Sequence, residues 1–176
     1  MMQAGVVRCT HERHAQAILD ILNEAIVSST ALYDYEPRSL ASMRAWFDAK
    51  ASRDFPVIGV EDTSGKLLAF ASYGTFRAWP AYKYSVEHSV YVHAEHRGKG
   101  LGLLLMRELI ACATAQDCHT LVGVIDSDNQ ASIAFHEQLG FRHAGTLNQA
   151  GFKFGRWLDV AFYQLLLATP VKPQDG

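Results

Sequence analysis

Residues 84–102, which read YSVEHSVYVHAEHRGKGLG, determine how the rest of the chain is interpreted. The first half alternates as a strand does, with one face made of Val86, His88, Val90 and Val92 and the other of Glu87, Ser89 and Tyr91. The second half places three glycines and two cations at the start of a predicted helix over residues 101–115. A strand, a glycine-rich turn and a helix in this order direct free backbone N–H groups and the positive helix end at an anion.

The turn has three other interpretations. A Walker A loop requires Ser or Thr after Gly98-Lys99, but Gly100 follows. A dinucleotide fingerprint requires G-x-G-x-x-G, whereas the glycines here are spaced G-x-G-x-G. A helix-entry turn without a ligand remains an alternative on the glycines alone. The preceding strand and a second motif downstream favour a pyrophosphate-binding turn.

The elements outside this stretch predict an α+β fold with one mixed sheet. Thr10 and Ser39 are candidate caps of two helices, and residues 63–66 form a hairpin turn signal. Further strands are predicted at residues 6–9, 57–61, 67–73, 121–125, 141–147 and 159–166, and a helix at residues 129–139. We expect a single domain over residues 1–169 and a flexible tail over residues 170–176.

Composition excludes several classes of protein. The chain has 176 residues, 16 basic against 18 acidic side chains and a net charge of −2, which disfavours a nucleic-acid partner. Its apolar runs are too short to span a bilayer, so no membrane partner is expected. Residues 1–10 lack the apolar stretch of a signal peptide. The three cysteines and eight histidines show no supported zinc spacing, so no metal is expected.

Two motifs together resemble a known family. Arg97-x-x-Gly100-x-Gly102 resembles the acetyl-CoA motif [QR]-x-x-G-x-[GA] of the GNAT superfamily. Asn129, Ser132, Phe135, His136 and Gly140-Phe141 resemble its segment N-x-x-[AS]-x-x-[LF]-[YH]-x-x-x-G-F. Both motifs in the right order are more specific than either one.

The segment VEHSVYV at residues 86–92, the RGKGLG turn and FGRWLD at residues 154–159 are similar to the phosphinothricin and methionine sulfoximine (methionine sulfone) N-acetyltransferases. This resemblance runs over about residues 6–166. It implies a GNAT-like fold, with a mixed central sheet of about six to seven strands flanked by helices. It also implies acetyl-CoA as co-substrate, a cytoplasmic location and a homodimer.

The same resemblance implies a set of residues that bind acetyl-CoA. The backbone near the end of the strand would contact the pantetheine arm and the acetyl carbonyl, and the turn would hold the pyrophosphate. The set comprises Val90, Tyr91, Val92, Arg97, Gly98, Lys99, Gly100, Leu101, Gly102, Leu103 and Asn129. Asn129 has a second interpretation as an ordinary helix N-cap.

Two residues are candidates for catalysis. Glu87 lies on the strand that leads into the turn, so its carboxylate is suited to take the amine proton, directly or through water, or to hold the substrate ammonium. It matches the catalytic glutamate of the family. His136 stands where many relatives carry a tyrosine that protonates the departing thiolate, and an imidazole is suited to that task. Contact with CoA alone is the other interpretation of His136.

Substrate binding is expected from the loop before the strand and from the strand itself, at Arg77, Ala78, Trp79, Glu87, His88 and Ser89. Arg77 is suited to a substrate carboxylate, although an arginine stacked on Trp79 is the structural alternative. A packed or hydrogen-bonded core histidine is the alternative for His88. Arg156 and Asp159 are expected to form a structural ion pair.

The sequence therefore predicts an acetyl-CoA-dependent N-acetyltransferase that acts on a small amino-acid analogue such as phosphinothricin, methionine sulfoximine or methionine sulfone. A second hypothesis keeps the reaction and changes the acceptor to another amino acid, a peptide N-terminus or a polyamine. A third is a non-catalytic acyl-CoA-binding protein, against which the presence of both Glu87 and His136 argues.

Overall fold

The computed structural model describes residues 5–175, so residues 1–4 of the predicted domain and residue 176 of the predicted tail lie outside it. Four α-helices are present: α1 (His11–Ser28), α2 (Leu40–Ala51), α3 (Leu101–Ala115) and α4 (Gln130–Gln138). The strands are β1 (Gly5–Arg8), β2 (Val57–Glu61), β3 (Leu67–Thr75), β4 (Ser85–Val92), β5 (Thr120–Asp126), β6 (Arg142–Lys153) and β7 (Arg156–Leu166).

All seven strands form one sheet in the order β1-β2-β3-β4-β5-β7-β6. The pairing of β4 with β5 is parallel, whereas β1–β2, β2–β3, β5–β7 and β6–β7 are antiparallel. The predicted α+β class with a mixed sheet of six to seven strands is confirmed. The chain divides into two compact units, one formed by residues up to Tyr73 with Ser89–Leu109 and the other by Gly74–His88 with Ile110 onward.

In the first unit, an apolar core forms between α1, α2 and the strands, with Ile18, Leu22, Met43 and Phe70 almost fully buried. Apolar residues at helical spacing along α1 give it one buried face, as the sequence pattern predicts. Thr10 caps α1 by accepting a hydrogen bond from the N–H of Arg13. Ser39 occupies the N-cap position of α2 but makes no side-chain cap hydrogen bond.

In the second unit, β6 and β7 form a long hairpin whose tip is Phe154-Gly155. Both tip residues have positive φ, 51° and 74°, as a two-residue type I′ turn requires. The strands therefore extend further than predicted, β6 to Lys153 and β7 from Arg156. Gln174, in the predicted tail, donates its backbone N–H to the Tyr84 hydroxyl.

None of the helices within residues 5–175 combines the length and the apolar character needed to cross a membrane.

Candidate active site

The glycine-rich turn ends in the first unit, where α3 begins at Leu101. Gly98 and Gly100 have φ of 74° and 79°, a conformation that other residues rarely adopt. A Cβ atom built on either glycine would meet no atom within 4 Å, so the turn faces open space. The N–H groups of the first helical turn have no partner within a helix. This part of the chain is therefore shaped to receive an anion such as a diphosphate.

Both cations of the turn are held by neighbouring residues. The Arg97 guanidinium donates to the Glu24 carboxylate and to the carbonyl of Val92. Lys99 Nζ donates to the carbonyl of Glu95 at 3.0 Å. An anion that recruits either side chain must therefore compete with these contacts.

A group of possible metal ligands lies just before the turn. His93, Glu95 and His96 each place one donor atom within 4.8 Å of the others. Lys99 Nζ lies 3.4 Å from Nδ1 of His96, and this positive charge opposes cation binding there. Desolvation, followed by the charge of Lys99, lowers the pKa of His96.

The other residues expected to contact acetyl-CoA differ in how far their side chains are buried. Tyr91 packs its ring 5.4 Å from that of Phe70, measured between centroids. Leu101 is buried. At these two positions the side chain belongs to the core, so the backbone is the part available for a ligand. Val90, Val92, Gly102 and Leu103 are half-buried.

In the second unit, Glu87 is half-buried and stands in register with Val122 of the neighbouring parallel strand. Ser85, two residues earlier on β4, lines a cavity of about 520 Å³, as does Val122. Because residues two apart on a strand project from the same face, Glu87 points to the side of the sheet that carries this cavity. The remaining lining residues are uncharged and come from the preceding loop and β5–β7: Phe76, Tyr82, Thr120, Ala144, Gly145, Thr146, Leu147, Phe162, Tyr163 and Gln164.

The aromatic loop before β4 contains the short 3₁₀ turn Pro80–Tyr82 and remains exposed around Arg77, Ala78 and Trp79. The Arg77 guanidinium carbon lies 4.6 Å from the centroid of the Phe76 ring, so the predicted alternative of stacking on Trp79 is wrong. Trp79 is 73% exposed. Ser89 lies in the first unit and is half-buried.

His88 and His136 meet in the interior of the second unit, a contact that the sequence analysis missed. Their Nε2 atoms lie 2.9 Å apart, and the side chains are among the buried polar groups. Nδ1 of His136 lies 2.7 Å from the Ser132 carbonyl oxygen. Burial, followed by the neighbouring His136, lowers the pKa of His88 to about 3, against a weaker opposing effect of the Val122 backbone. Burial also lowers the pKa of His136.

The structure also shows the hydrogen-bond partners of Asn129 and Arg156. Asn129 does cap α4, because its Oδ1 accepts a hydrogen bond from the N–H of Ser132 at 3.0 Å. The predicted ion pair between Arg156 and Asp159 is wrong. Arg156 instead bridges Asp126 and Asp128, and Asp159 accepts a hydrogen bond from the N–H of Gln149.

Comparison with known proteins agrees with this architecture. The sequence model of the acetyltransferase (GNAT) family matches residues 16–141. The chain is 47% identical over 150 residues to the L-methionine sulfoximine/L-methionine sulfone acetyltransferase of Pseudomonas paraeruginosa, covering 85% of this chain and 87% of that one. It is 38% identical to the L-amino acid N-acyltransferase MnaT of Escherichia coli, covering 95% and 96%.

Among solved structures, a GNAT superfamily phosphinothricin acetyltransferase from Sinorhizobium meliloti in complex with acetyl-CoA superposes with a TM-score of 0.92. The two chains are 34% identical, and the match covers 99% of this chain and 95% of the other. The family match spans most of the chain, and the relatives match over nearly their whole length. This protein therefore belongs to the acetyltransferase (GNAT) family.

Proposed function

We propose that this protein is an N-acetyltransferase that moves the acetyl group of acetyl-CoA to the amine of a small amino-acid analogue. Phosphinothricin, methionine sulfoximine and methionine sulfone are the favoured acceptors, because the names of its relatives specify them. The observation that carries the proposal is Glu87, a carboxylate on the cavity-bearing face of the sheet in a chain of this family.

The turn at the start of α3 fits the diphosphate of acetyl-CoA, which would supply the activated thioester. Gly98 and Gly100 leave the approach open, and the N–H groups of the first helical turn would bind the negative oxygens. Arg97 and Lys99 would add positive charge after leaving Glu24 and the Glu95 carbonyl. Asn129, with its Oδ1 used in capping, would contact the ligand through its amide N–H groups.

Glu87 would prepare the acceptor for attack. An amine attacks a thioester only in its neutral form, so one proton must move from the ammonium group to a base. The Glu87 carboxylate is suited to accept it, directly or through one water molecule. A backbone N–H in the segment Val90, Tyr91 and Val92 would stabilise the negative charge that develops on the acetyl oxygen.

The acceptor would enter the cavity of about 520 Å³. Its aromatic and neutral polar lining suits the uncharged side chains of methionine sulfone and methionine sulfoximine better than the anionic phosphinate of phosphinothricin. The substrate carboxylate would pair with Arg77 from the preceding loop, with Ala78, Trp79 and Ser89 as further contacts. Recruiting Arg77 would require it to leave the Phe76 ring.

The test is a panel of amines scored by CoA release. Wild-type protein with acetyl-CoA should release CoA with methionine sulfoximine, methionine sulfone or phosphinothricin. Glu87→Gln should lower kcat by about 10²- to 10⁴-fold with CoA affinity nearly kept. Glu108→Gln, which changes an exposed carboxylate on α3, is the matched control and should keep wild-type turnover.

The competing functions give different results on the same panel. Release of CoA only with other amino acids, peptides or polyamines would show that the protein transfers acetyl groups to a different class of acceptor. Binding of CoA without release above background for any amine would support a non-catalytic acyl-CoA-binding protein and would overturn the proposal.

We further propose a homodimer formed through the β6–β7 hairpin. Its large apolar side chains are unusually exposed, with Phe154 and Trp157 at 58% and Leu147 and Phe152 close behind. Such a patch is typical of an interface. Light scattering should give twice the chain mass of 19.5 kDa, and Trp157→Ser should shift the mass towards one chain. A wild-type monomer at assay concentration would contradict the dimer.

We infer that residues 1–169 act as one acetyltransferase domain in the cytoplasm. The family match over residues 16–141 includes residues of both compact units, which supports one functional domain. The three free cysteines and the resemblance support a reducing compartment. Cell fractionation tests the location, and loss of acetyl transfer in a fragment that ends before α4 tests the domain.

A further inference from the structure

The protons of the His88–His136 pair can be assigned from its hydrogen bonds. Nδ1 of His136 lies 2.7 Å from the Ser132 carbonyl oxygen, which can only accept, so Nδ1 carries the proton. In a neutral His136 the other nitrogen, Nε2, then offers a lone pair. Nε2 of His88 lies 2.9 Å from it and must therefore be the donor.

The surroundings favour neutral imidazoles. His88 and His136 are 7% and 5% exposed, and the Phe141 ring lies 5.0 Å and 5.2 Å from them between centroids. Gly123 of β5 completes the enclosure, since a Cβ atom there would lie 3.0 Å from both His88 Cε1 and His136 Nε2. A positive charge on either ring would be costly in this space, and the lowered pKa of each histidine agrees with this.

This arrangement bears on how His136 takes part in acetyl transfer. A general acid at this position needs an N–H bond directed at the departing sulfur. The Nδ1–H of His136 donates a hydrogen bond to the Ser132 carbonyl oxygen, and its Nε2 carries no proton and accepts a hydrogen bond from His88. The buried pair therefore holds His136 in a state that has no proton to deliver.

We propose that His88 is a positioning residue that occupies the Nε2 lone pair of His136 and keeps this imidazole uncharged, so that His136 anchors α4 to the sheet and does not protonate the departing thiol. The second half of this statement rests on the proposed function. The proton balance closes without His136. The ammonium loses one proton to Glu87 before attack, and the nitrogen loses a second proton to solvent as the amide forms and the C–S bond breaks. The CoA thiolate gains one proton from solvent, so one proton is released for each acetyl group transferred. The first half concerns only the folded protein.

The first experiment determines which ring nitrogen of His88 and of His136 carries the proton. Two-bond ¹H–¹⁵N spectra of protein with ¹⁵N-labelled histidine, recorded from about pH 8 to 5.5, report the tautomer and the titration of each ring. In the wild type we expect an Nδ1–H tautomer for His136, an Nε2–H tautomer for His88, and no titration of either. His88→Gln can still donate to Nε2 of His136 and should preserve this state. His88→Leu cannot, and the His136 pKa should rise.

The second experiment separates positioning from acid catalysis. His136→Gln keeps a group that can accept from His88, so kcat should fall by less than about tenfold, whereas loss of a general acid costs about 10²- to 10⁴-fold. An Nε2–H tautomer of His136 in the wild type would overturn the proposal. So would a His136 titration that is the same in folded His88→Leu and wild type, or a hundredfold loss of kcat in folded His136→Gln.

The two proposals fail in distinguishable ways. Absence of CoA release with every amine would reject the enzyme and leave the tautomers and titration of the pair unchanged. A charged His136 in a protein that does release CoA would reject the positioning role and keep the enzyme.

Discussion

Each compact unit contains a buried histidine in a hydrogen-bonded pair, but the partners differ. In the first unit, Nδ1 of His14 accepts the N–H of Thr10, and its Nε2 donates to the Glu61 carboxylate at 2.9 Å. Arg13 donates to the second oxygen of Glu61 at 2.8 Å. In the second unit, His88 meets another imidazole, and its Nδ1 makes no hydrogen bond within the described residues.

The difference shows two ways of burying the same side chain. The His14 cluster satisfies both ring nitrogens and includes a carboxylate with two donors, so its polar groups support the fold. The His88 pair leaves one buried acceptor unsatisfied, which costs free energy and is typical of sites kept for function.

Replacing Glu61 with Leu should be the most damaging change. His14 would lose its buried acceptor and Arg13 its partner, so the free energy of unfolding should fall by about 3 kcal/mol. His88→Leu removes a neutral hydrogen bond and should cost only about 1–2 kcal/mol. Urea denaturation of both variants measures the two values. Equal losses would remove the energetic contrast between the pairs.

Gly123→Ala should destabilise the protein by about 2 kcal/mol, because the new methyl group overpacks the histidine pair. Gly5→Ala is the control, since a Cβ there meets nothing within 4 Å, and it should change stability by less than about 0.5 kcal/mol. Thermal unfolding compares the two. A neutral effect of Gly123→Ala would show that the pair is less tightly enclosed than the distances indicate.

Acid should destabilise the protein through His88. Its pKa of about 3 in the folded state lies below the ordinary 6.5, so the unfolded chain binds the extra proton between these values. This contribution is fully present above pH 6.5 and decreases as the pH falls towards 3, by up to about 1.4 kcal/mol per pH unit. His88→Gln should show a shallower pH dependence in denaturant titrations than wild type. His143→Gln, at an exposed histidine, should match the wild type.

The smallest effect concerns Cys9, which is buried near the His14 cluster. Burial, followed by the charge of Glu61, raises the pKa of the Cys9 thiol to about 12, and Arg13 partly opposes this. An alkylating reagent followed by peptide mass spectrometry should therefore label half-buried Cys112 before Cys9. In Glu61→Gln, labelling of Cys9 should become several-fold faster. An unchanged alkylation rate would show that the Glu61 charge does not control the reactivity of Cys9.

Local patterns predict the part of the fold that depends on neighbours in the chain. The alternation of β4, the glycine-rich turn, α3 and the Asn129 cap follow from spacing and residue type, and all are observed. The β6–β7 boundaries were missed because the turn uses Phe154 before Gly155, whereas Asn or Asp is the usual signal. Phe154 adopts a positive φ that a bulky residue seldom takes.

Contacts between residues far apart in the chain could not be predicted from local sequence patterns. His88 and His136 are 48 positions apart, and the parallel pairing of β4 with β5 together with the packing of α4 against β5 brings them together. Arg156 likewise pairs with Asp126 across strands and not with Asp159 nearby in the chain. One signal was available for the histidines. Gly123 in the middle of a predicted strand indicates that another group approaches the backbone closely.

The close approach at Gly123 means that positions 88, 123 and 136 cannot change independently. A methyl group at position 123 conflicts with both rings, but in a His88→Ala background much of the required space is vacated. The cost of the double change should therefore be smaller than the sum of the two single changes. Substitutions at this point of the sheet are therefore tolerated best in combination, because each single step alone passes through a less stable protein.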